Sequence, residues 1–300
     1  MTEKGESAER FPRATQTVPF KRVTVLGVGL LGGSVIRSLA RREDVQLSGW
    51  LRRPDAKDLL NELPLDRIDS DVESLCSEAD AIVVAVPVDK TATLVRRALE
   101  AAPSHAVVTD VGSTKAKIIA EVNDGRDLDP RYVPAHPIAG SERSGPQASR
   151  ADLFDGKLCI VTPQESTTAG SSPRFRDFVV RGESFWELVG CHVRRMTAID
   201  HDKALALVSH VPHLVSSLVA GQTPESLHGL CGSGWRDITR VAAGDVAMWM
   251  AIVRHNREAI LGAWKELQST VQDVSRMLEN ADDDSLEAWL AEAARRRKGE

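Results

Sequence analysis

The stretch Val23-Thr24-Val25-Leu26-Gly27-Val28-Gly29-Leu30-Leu31-Gly32-Gly33-Ser34 limits the possible folds of this chain more than any other. A β-branched apolar run passes through Gly-x-Gly-x-x-Gly into a helical pattern. That spacing lets a strand turn tightly, lets bare backbone approach a pyrophosphate, and lets the next helix pack on its strand with its N-terminal N–H groups facing the phosphates. Glycine-rich turns also occur for packing alone, but a strand before and a helix after is the context that points to a dinucleotide. Gly27, Gly29, Leu30, Leu31 and Gly32 are therefore expected at a cofactor.

The periodicity downstream extends this into a fold. Residues 30–41 read as a helix and 45–50 as a strand; a helix over 54–63 and another capped by Ser70 and running to 79 follow. Residues 81–86 form a continuous apolar strand ended by Pro87, which belongs in the middle of a sheet, with Val86 and Pro87 at the cofactor end. A helix over 91–101, a strand over 106–111, a helix opened by Gly112-Ser113-Thr114 and a short strand over 131–134 continue the alternation. Further strands are expected at 157–162 and 191–196, around a helix at 173–188. Strands alternating with helices predict an α/β fold with a Rossmann-type, doubly wound, mainly parallel sheet.

From Thr197, which with Asp200 three residues later resembles a helix cap, the strand signal stops, and helices are expected over 200–221, 223–230, 235–240, 245–278 and 285–296. The expected division is a disordered leader at 1–20, a dinucleotide-binding domain at 21–195 and an all-α substrate and dimerisation domain at 196–300. Such a domain, apolar on more than one face, suits a homodimer.

Charge and cysteine usage narrow the class. A net charge of −5 argues against a nucleic-acid or membrane-surface binder, and the short basic run at 294–298 reads as a solvated helix end. The four cysteines show no C-x-x-C pair and no zinc-like spacing, which suits reduced thiols in the cytoplasm. The first twenty residues lack the apolar segment of a signal peptide, and no eighteen consecutive apolar residues occur, so no membrane span is expected.

Several residues could carry chemistry. An acidic residue after the second strand would bond adenosine ribose hydroxyls, but Leu51, Arg52 and Arg53 stand there; an arginine pair could neutralise a 2′-phosphate, which favours NADP over NAD. The alternative is a pair of ordinary surface arginines. His136, in His-Pro-Ile-Ala-Gly, should lie at the carboxyl edge of the sheet, where a neutral imidazole can take a hydroxyl proton while hydride leaves the same carbon; otherwise it is a histidine bonded within a turn. On a helix over 200–221, Ala204, Leu207, Val208, Val211, Leu214, Val215 and Leu218 form one apolar stripe. Ser209, His210 and His213 lie off it, so the two histidines are not core fillers but either touch substrate or sit on a solvated face. Pro212 opens the helical ladder between them, and no third ligand supports a metal at His-x-x-His. Arg236 and Arg240 share a helix face; either could grip a carboxylate with Asp237 holding it in place, or the three form an intrahelical salt bridge.

Taken together these motifs resemble the prephenate/arogenate dehydrogenase family over residues 22–276. The resemblance rests on Gly27 to Ser34, Asp110-Val111-Gly112-Ser113, His136 to Gly140 followed by Glu142 and Gly145, Ser209 to His213, and Arg236 to Arg240, in that order. It implies that His136 is the base for a ring hydroxyl with Ser113 sharing that hydrogen bond. It further implies that Arg240, helped by His213, binds a substrate carboxylate, and that Glu142 and Asp237 orient the arginine. The implied reaction is oxidative decarboxylation of an anionic cyclohexadiene, prephenate or arogenate, to 4-hydroxyphenylpyruvate or tyrosine. Many family members have Asp where Leu51 stands, which opens the choice of cofactor. The chain is expected to be a stand-alone enzyme. The rivals are a 3-hydroxyacid dehydrogenase of similar build, whose helical Lys-x-x-Asn pair is absent here, and a non-catalytic dinucleotide-binding scaffold.

Overall fold

A computed structural model of the chain describes residues 20–51, 58, 61–126, 129–140, 143–164 and 172–299. Residues 1–19 of the leader, Arg52, Arg53, Glu142 and most of the helix expected at 54–63 fall outside the described residues; Phe20, expected in the leader, is instead buried in the core against Phe185. β1 (Arg22–Leu26) leads through the glycine turn into α1 (Leu30–Leu39) and β2 (Gln46–Trp50). Next come β3 (Arg67–Asp69), α2 (Val72–Cys76), β4 (Ala81–Val84), α3 (Val88–Ala101), β5 (Val107–Asp110), α4 (Ala116–Asn123) and β6 (Tyr132–Val133). The cap of α2 is Asp71 rather than Ser70: its carboxylate accepts from the Glu73 and Ser74 N–H groups, a stronger arrangement than a hydroxyl one residue earlier. These six strands form one parallel sheet in the order β3-β2-β1-β4-β5-β6. The order reverses between β1 and β4, so the crevice for a ligand opens beyond their carboxyl ends.

The later strands do not extend this sheet. β6 is two residues long and Pro134, which has no N–H for a ladder, turns the chain into β7 (Ala135–Pro137). β7 pairs antiparallel with β8 (Leu158–Val161), and β8 pairs parallel with β9 (His192–Arg195), making a second, three-stranded sheet. The expectation of one doubly wound sheet through residue 196 is corrected accordingly. α5 (Pro173–Val189), capped by the Ser172 hydroxyl, crosses between β8 and β9 and packs Phe178, Phe185 and Trp186 into the core.

The helical half starts with Thr197, whose hydroxyl caps α6 (Ala198–Leu205) by accepting from the Asp200 N–H. α6 does not run straight into α7 (Val211–Gln222), because Ala206–His210 are wound as a π-helical turn. Pro212, which has no N–H to donate, closely follows that turn, where the winding already departs from the α-helical ladder. α8 (Ser233–Thr239), α9 (Val246–His255), α10 (Arg257–Glu279) and α11 (Asp283–Lys298) complete the chain. The single helix expected over 245–278 is broken at Asn256, whose backbone leaves the helical region at φ −119° and ψ 28°.

The histidines on this face correct a second expectation. His210 and His213 are both buried, whereas Leu207, Val208 and Leu218 of the apolar stripe are exposed, Val208 by 73%. The stripe and the histidine face are distinct, as the helical arithmetic has it, but the histidine face turns inward, and the stripe is split, with Val211, Leu214 and Val215 packed on the helical core and Leu207, Val208 and Leu218 left outward. A helical wheel cannot say which face meets the rest of the protein. The helical half buries little of its own: its core cluster is Ala206, Val211, Ile260 and Ala263, while Ala251 and Ile252 of α9 pack into the core on one face of the large sheet. Ala198–Gln222 is also long and apolar enough, by length and composition, to cross a bilayer, although no eighteen-residue apolar run was found in it. Its buried face holds His201, Asp202, His210 and His213 against protein groups.

Close packing of α5 on the sheet gives a test. A Cβ at Gly182, inside α5, would lie 2.5 Å from Val133 Cγ1 in the fully buried β6. Helix propensity alone would make Gly182→Ala stabilising by about 1 kcal/mol, but overpacking costs about 1–3 kcal/mol. We expect net destabilisation, read as a lower denaturant midpoint with an unchanged slope.

Candidate functional site

The glycine turn at the carboxyl end of β1 has the geometry of a phosphate cradle. Gly27 has φ +103°, and a Cβ there would lie 2.4 Å from the Ala85 carbonyl oxygen, so only glycine brings the turn against the end of β4. A Cβ on Gly32 would lie 2.0 Å from the Gly27 carbonyl oxygen, which explains the third glycine as helix-on-turn packing. Gly29 differs, since nothing lies within 4 Å of its Cβ position. It caps α1 with no side-chain hydrogen bond, and the first turn of α1 holds no acidic residue, so its leading N–H groups fit an anion. The turn therefore fits a dinucleotide pyrophosphate. Leu30 and Leu31 are half-buried in that first turn. Val86 and Pro87 line a cavity of about 610 Å³ together with Trp50, the last residue of β2.

His136 is the second residue of β7, two residues past Pro134 and beyond the carboxyl end of β6, and is half-buried. What holds β7 there is a buried charge pair. Lys115, fully buried, bonds the Asp110 carboxylate at the end of β5 and donates to the Ala135 carbonyl at 2.7 Å. Asp110 also accepts from the Gly112 N–H at 2.9 Å, the Tyr132 hydroxyl at 3.1 Å and the Ala135 N–H at 3.2 Å. Burial and the Asp110 charge push the Tyr132 hydroxyl well above its ordinary pKa, so it stays a donor.

The ring of His136 meets the helical half directly. Its Nδ1 lies 2.9 Å from Nε2 of His201, and His201 Nδ1 lies 2.8 Å from Asp202 Oδ1. Asp202 also accepts from the Lys115 N–H at 2.8 Å and the Ala116 N–H at 2.9 Å, so a helical-half carboxylate caps α4. Asn256 Nδ2 donates to the Asp202 carbonyl at 2.7 Å and lies 3.1 Å from His210 Nδ1, tying the break between α9 and α10 to the same cluster. His213 stacks on Trp249, with ring centroids 3.5 Å apart at 11°.

Among the sequence candidates, the structure brings His136 and His210 into one cluster, with His213 beside it across Trp249. Ser113 is half-buried in the turn between β5 and α4, and no hydrogen bond joins it to His136 among the described residues. Ser209 is half-buried in the π-helical turn; Asp237 is exposed on α8, and Arg240 is exposed at the head of the turn that follows. Sequence reasoning missed His201, Asp202, Lys115, Asn256 and Trp249. The Thr197 cap pointed at Asp200, but nothing in spacing marks the next two residues, because their partners are 65 and 87 positions away.

Comparison with known proteins adds two family matches. The model for the nucleotide-binding domain of prephenate dehydrogenase matches residues 40–182, and that for its dimerization domain matches residues 197–292. The chain is 29% identical to a cyclohexadienyl dehydrogenase of Zymomonas mobilis, over 93% of this chain and 95% of that one. It is 28% identical to a prephenate dehydrogenase of Bacillus subtilis, over 92% of this chain and 75% of that one. A crystal structure of an A. aeolicus prephenate dehydrogenase, in complex with hydroxyphenyl propionate and NAD+, superposes with a TM-score of 0.81 at 27% identity, over 94% of this chain and 99% of that one.

The buried histidines set a pH dependence. Burial is the main cause of lowering at His136, His201, His210, His213 and His255; at His136 the neighbouring His201, Lys115 and His210 lower it further, and His210 falls to about 4. A lowered histidine pKa means that the unfolded chain takes up protons first. The stability is therefore complete above about 6.5, the ordinary histidine value, and is lost as pH falls from there toward 4. The shift at His210 corresponds to on the order of 3 kcal/mol. Melting temperature should fall steeply between pH 7 and pH 4.5, and His210→Asn should flatten that fall.

Proposed function

We infer the mechanism from one premise: this chain belongs to the prephenate dehydrogenase family, matched over both halves. It is a dinucleotide-dependent dehydrogenase of tyrosine biosynthesis that carries out oxidative decarboxylation of a cyclohexadiene, prephenate or arogenate. Matching that family over both halves favours this reading over a 3-hydroxyacid dehydrogenase or a non-catalytic scaffold.

The observation that supports the residue roles best is His136, held neutral by burial past the carboxyl edge of the sheet, on the side where the glycine turn opens. In this reading His136 takes the proton of the ring hydroxyl as the carbon bearing it is oxidised, and carbon dioxide leaves as the ring becomes aromatic. The bound nicotinamide would supply the hydride acceptor, with Gly27, Gly29, Leu30, Leu31, Gly32, Val86 and Pro87 holding the dinucleotide. Ser113 positions the hydroxyl. Arg240, with His213, His210 and Ser209, receives the anionic side of the substrate, and Asp237 and Glu142 orient the arginine. Arginine suits this role because its planar fork matches a carboxylate.

The cofactor reading favours NADP, supported by Leu51-Arg52-Arg53 in place of an acid after β2. The functional division near residue 195 assigns cofactor to the first half and substrate and self-association to the second. Homodimerisation through the helical half is supported by its small core and by the exposed Leu207, Val208, Leu218, Leu261 and Val271. A cytoplasmic location fits four free thiols.

His136→Asn should lower kcat by at least about a thousandfold while dinucleotide affinity stays within twofold; retained turnover would remove His136 as the base. A spectrophotometric assay crossing prephenate and arogenate with NAD and NADP should give a kcat/KM at least tenfold higher with NADP. A preference for NAD would refute the arginine argument, and the better substrate in the same assay names the side chain recognised.

A further inference from the structure

The reading of His136 as base leaves open which ring nitrogen does the work and what makes it that one. A neutral imidazole carries one N–H, and a base must present its bare nitrogen to the hydroxyl. Nothing on β7 makes that choice, because the ring of His136 points its Nδ1 across to the helical half.

We propose that Asp202 and His201 form with His136 a three-membered relay whose hydrogen bonds have a single direction. Asp202 receives the Lys115 and Ala116 N–H groups, and as a carboxylate it can only accept. The His201 Nδ1 at 2.8 Å must therefore carry the proton, which leaves His201 Nε2 bare. The bare Nε2, 2.9 Å from His136 Nδ1, must in turn receive a proton from it. Nε2 of His136 is thereby left as the basic nitrogen. Both imidazoles are neutral through burial, so neither link needs a second proton. When His136 Nε2 takes the hydroxyl proton, the new positive charge lies one imidazole away from the Asp202 carboxylate, which stabilises it without moving. The logic is that of an acid, a histidine and a nucleophile in line, with a second histidine extending the reach of the carboxylate.

The relay also explains why the carboxylate comes from the helical half. His201 is fully buried and Asp202 nearly so, at the seam where α6 meets the N-terminus of α4. One side chain thus fixes the tautomer of His136 and the turn bearing Ser113. His201 and Asp202 are positioning residues in this account, since neither touches the reacting carbon. The proposal rests on His136 being the base, and its test separates the two.

Two-bond nitrogen–proton correlation spectra of the full-length protein labelled with 15N-histidine report each tautomer, with His136 assigned by its loss in His136→Asn. We expect the Nδ1–H form at His136 in the unmodified protein. His201→Phe, which fills the site but cannot accept, should convert His136 to the Nε2–H form or a mixture. It should lower kcat at least tenfold while KM and dinucleotide affinity stay within twofold. His201→Gln, whose amide can accept from His136 and donate to Asp202, should restore the Nδ1–H form and most of kcat; a merely space-filling role would not distinguish Gln from Phe. An Nε2–H form in the unmodified protein, or no tautomer change in His201→Phe, overturns the relay, and the first of these needs no variant to fold. Full turnover in His136→Asn overturns the base assignment whatever the spectrum shows.

Discussion

The seam between the two halves depends on one carboxylate. Asp202 projects from α6 into the sheet-bearing half, where it meets the N-terminus of α4 and the ring of His201. A buried carboxylate is costly unless its acceptor capacity is filled, and here two backbone N–H groups and an imidazole fill it. Because the donors come from both halves, the seam has one low-energy geometry. Asn256 reinforces it by holding the Asp202 carbonyl from the break between α9 and α10.

A second buried pair sets the other wall. Lys115 and Asp110 lie beneath β7 with no exposed surface, and together they bond both backbone polar groups of Ala135. Removing one partner of such a pair leaves an unpaired buried charge, typically at a cost of about 3–5 kcal/mol. The pair therefore holds in place the strand that bears His136. Its positive end also lowers the pKa of His136, helping to keep the imidazole neutral. The same contacts that hold β7 thus tune its histidine.

The helical half makes the opposite use of its surface. α6, the π-helical turn and α7 turn histidines inward and leave Leu207, Val208 and Leu218 outward, which would be unfavourable for an isolated chain. On the inward face His201 and His210 meet His136, Asp202 and Asn256, and His213 stacks on Trp249, while His213 Nδ1 and Ser216 Oγ are buried without a hydrogen-bond partner among the described residues. The outward face is the kind of surface that a matching dimerization-domain family would cover with a second copy. Apolar length alone would also suit a bilayer, so composition does not separate these environments; the buried polar face does.

Much of this was legible in the chain. The Gly-x-Gly-x-x-Gly turn, the continuous apolar strands and the Thr197 cap are local signals, since each depends on neighbours a few residues apart, and they determined the parallel sheet, the dinucleotide turn and the start of the helical half. The position of His136 beyond the carboxyl edge of the sheet was legible too, because it follows the short strand β6 within three residues. What tertiary structure alone decided was every feature whose partner is distant in sequence: the second sheet, in which Ala135–Pro137 must find Leu158–Val161, and the inward turn of the histidine face. The chain of Asp202, His201 and His136 belongs with them. Helical and strand periodicities say which residues share a face, but only packing says what that face meets, and the chemistry of this site lies where the two halves meet.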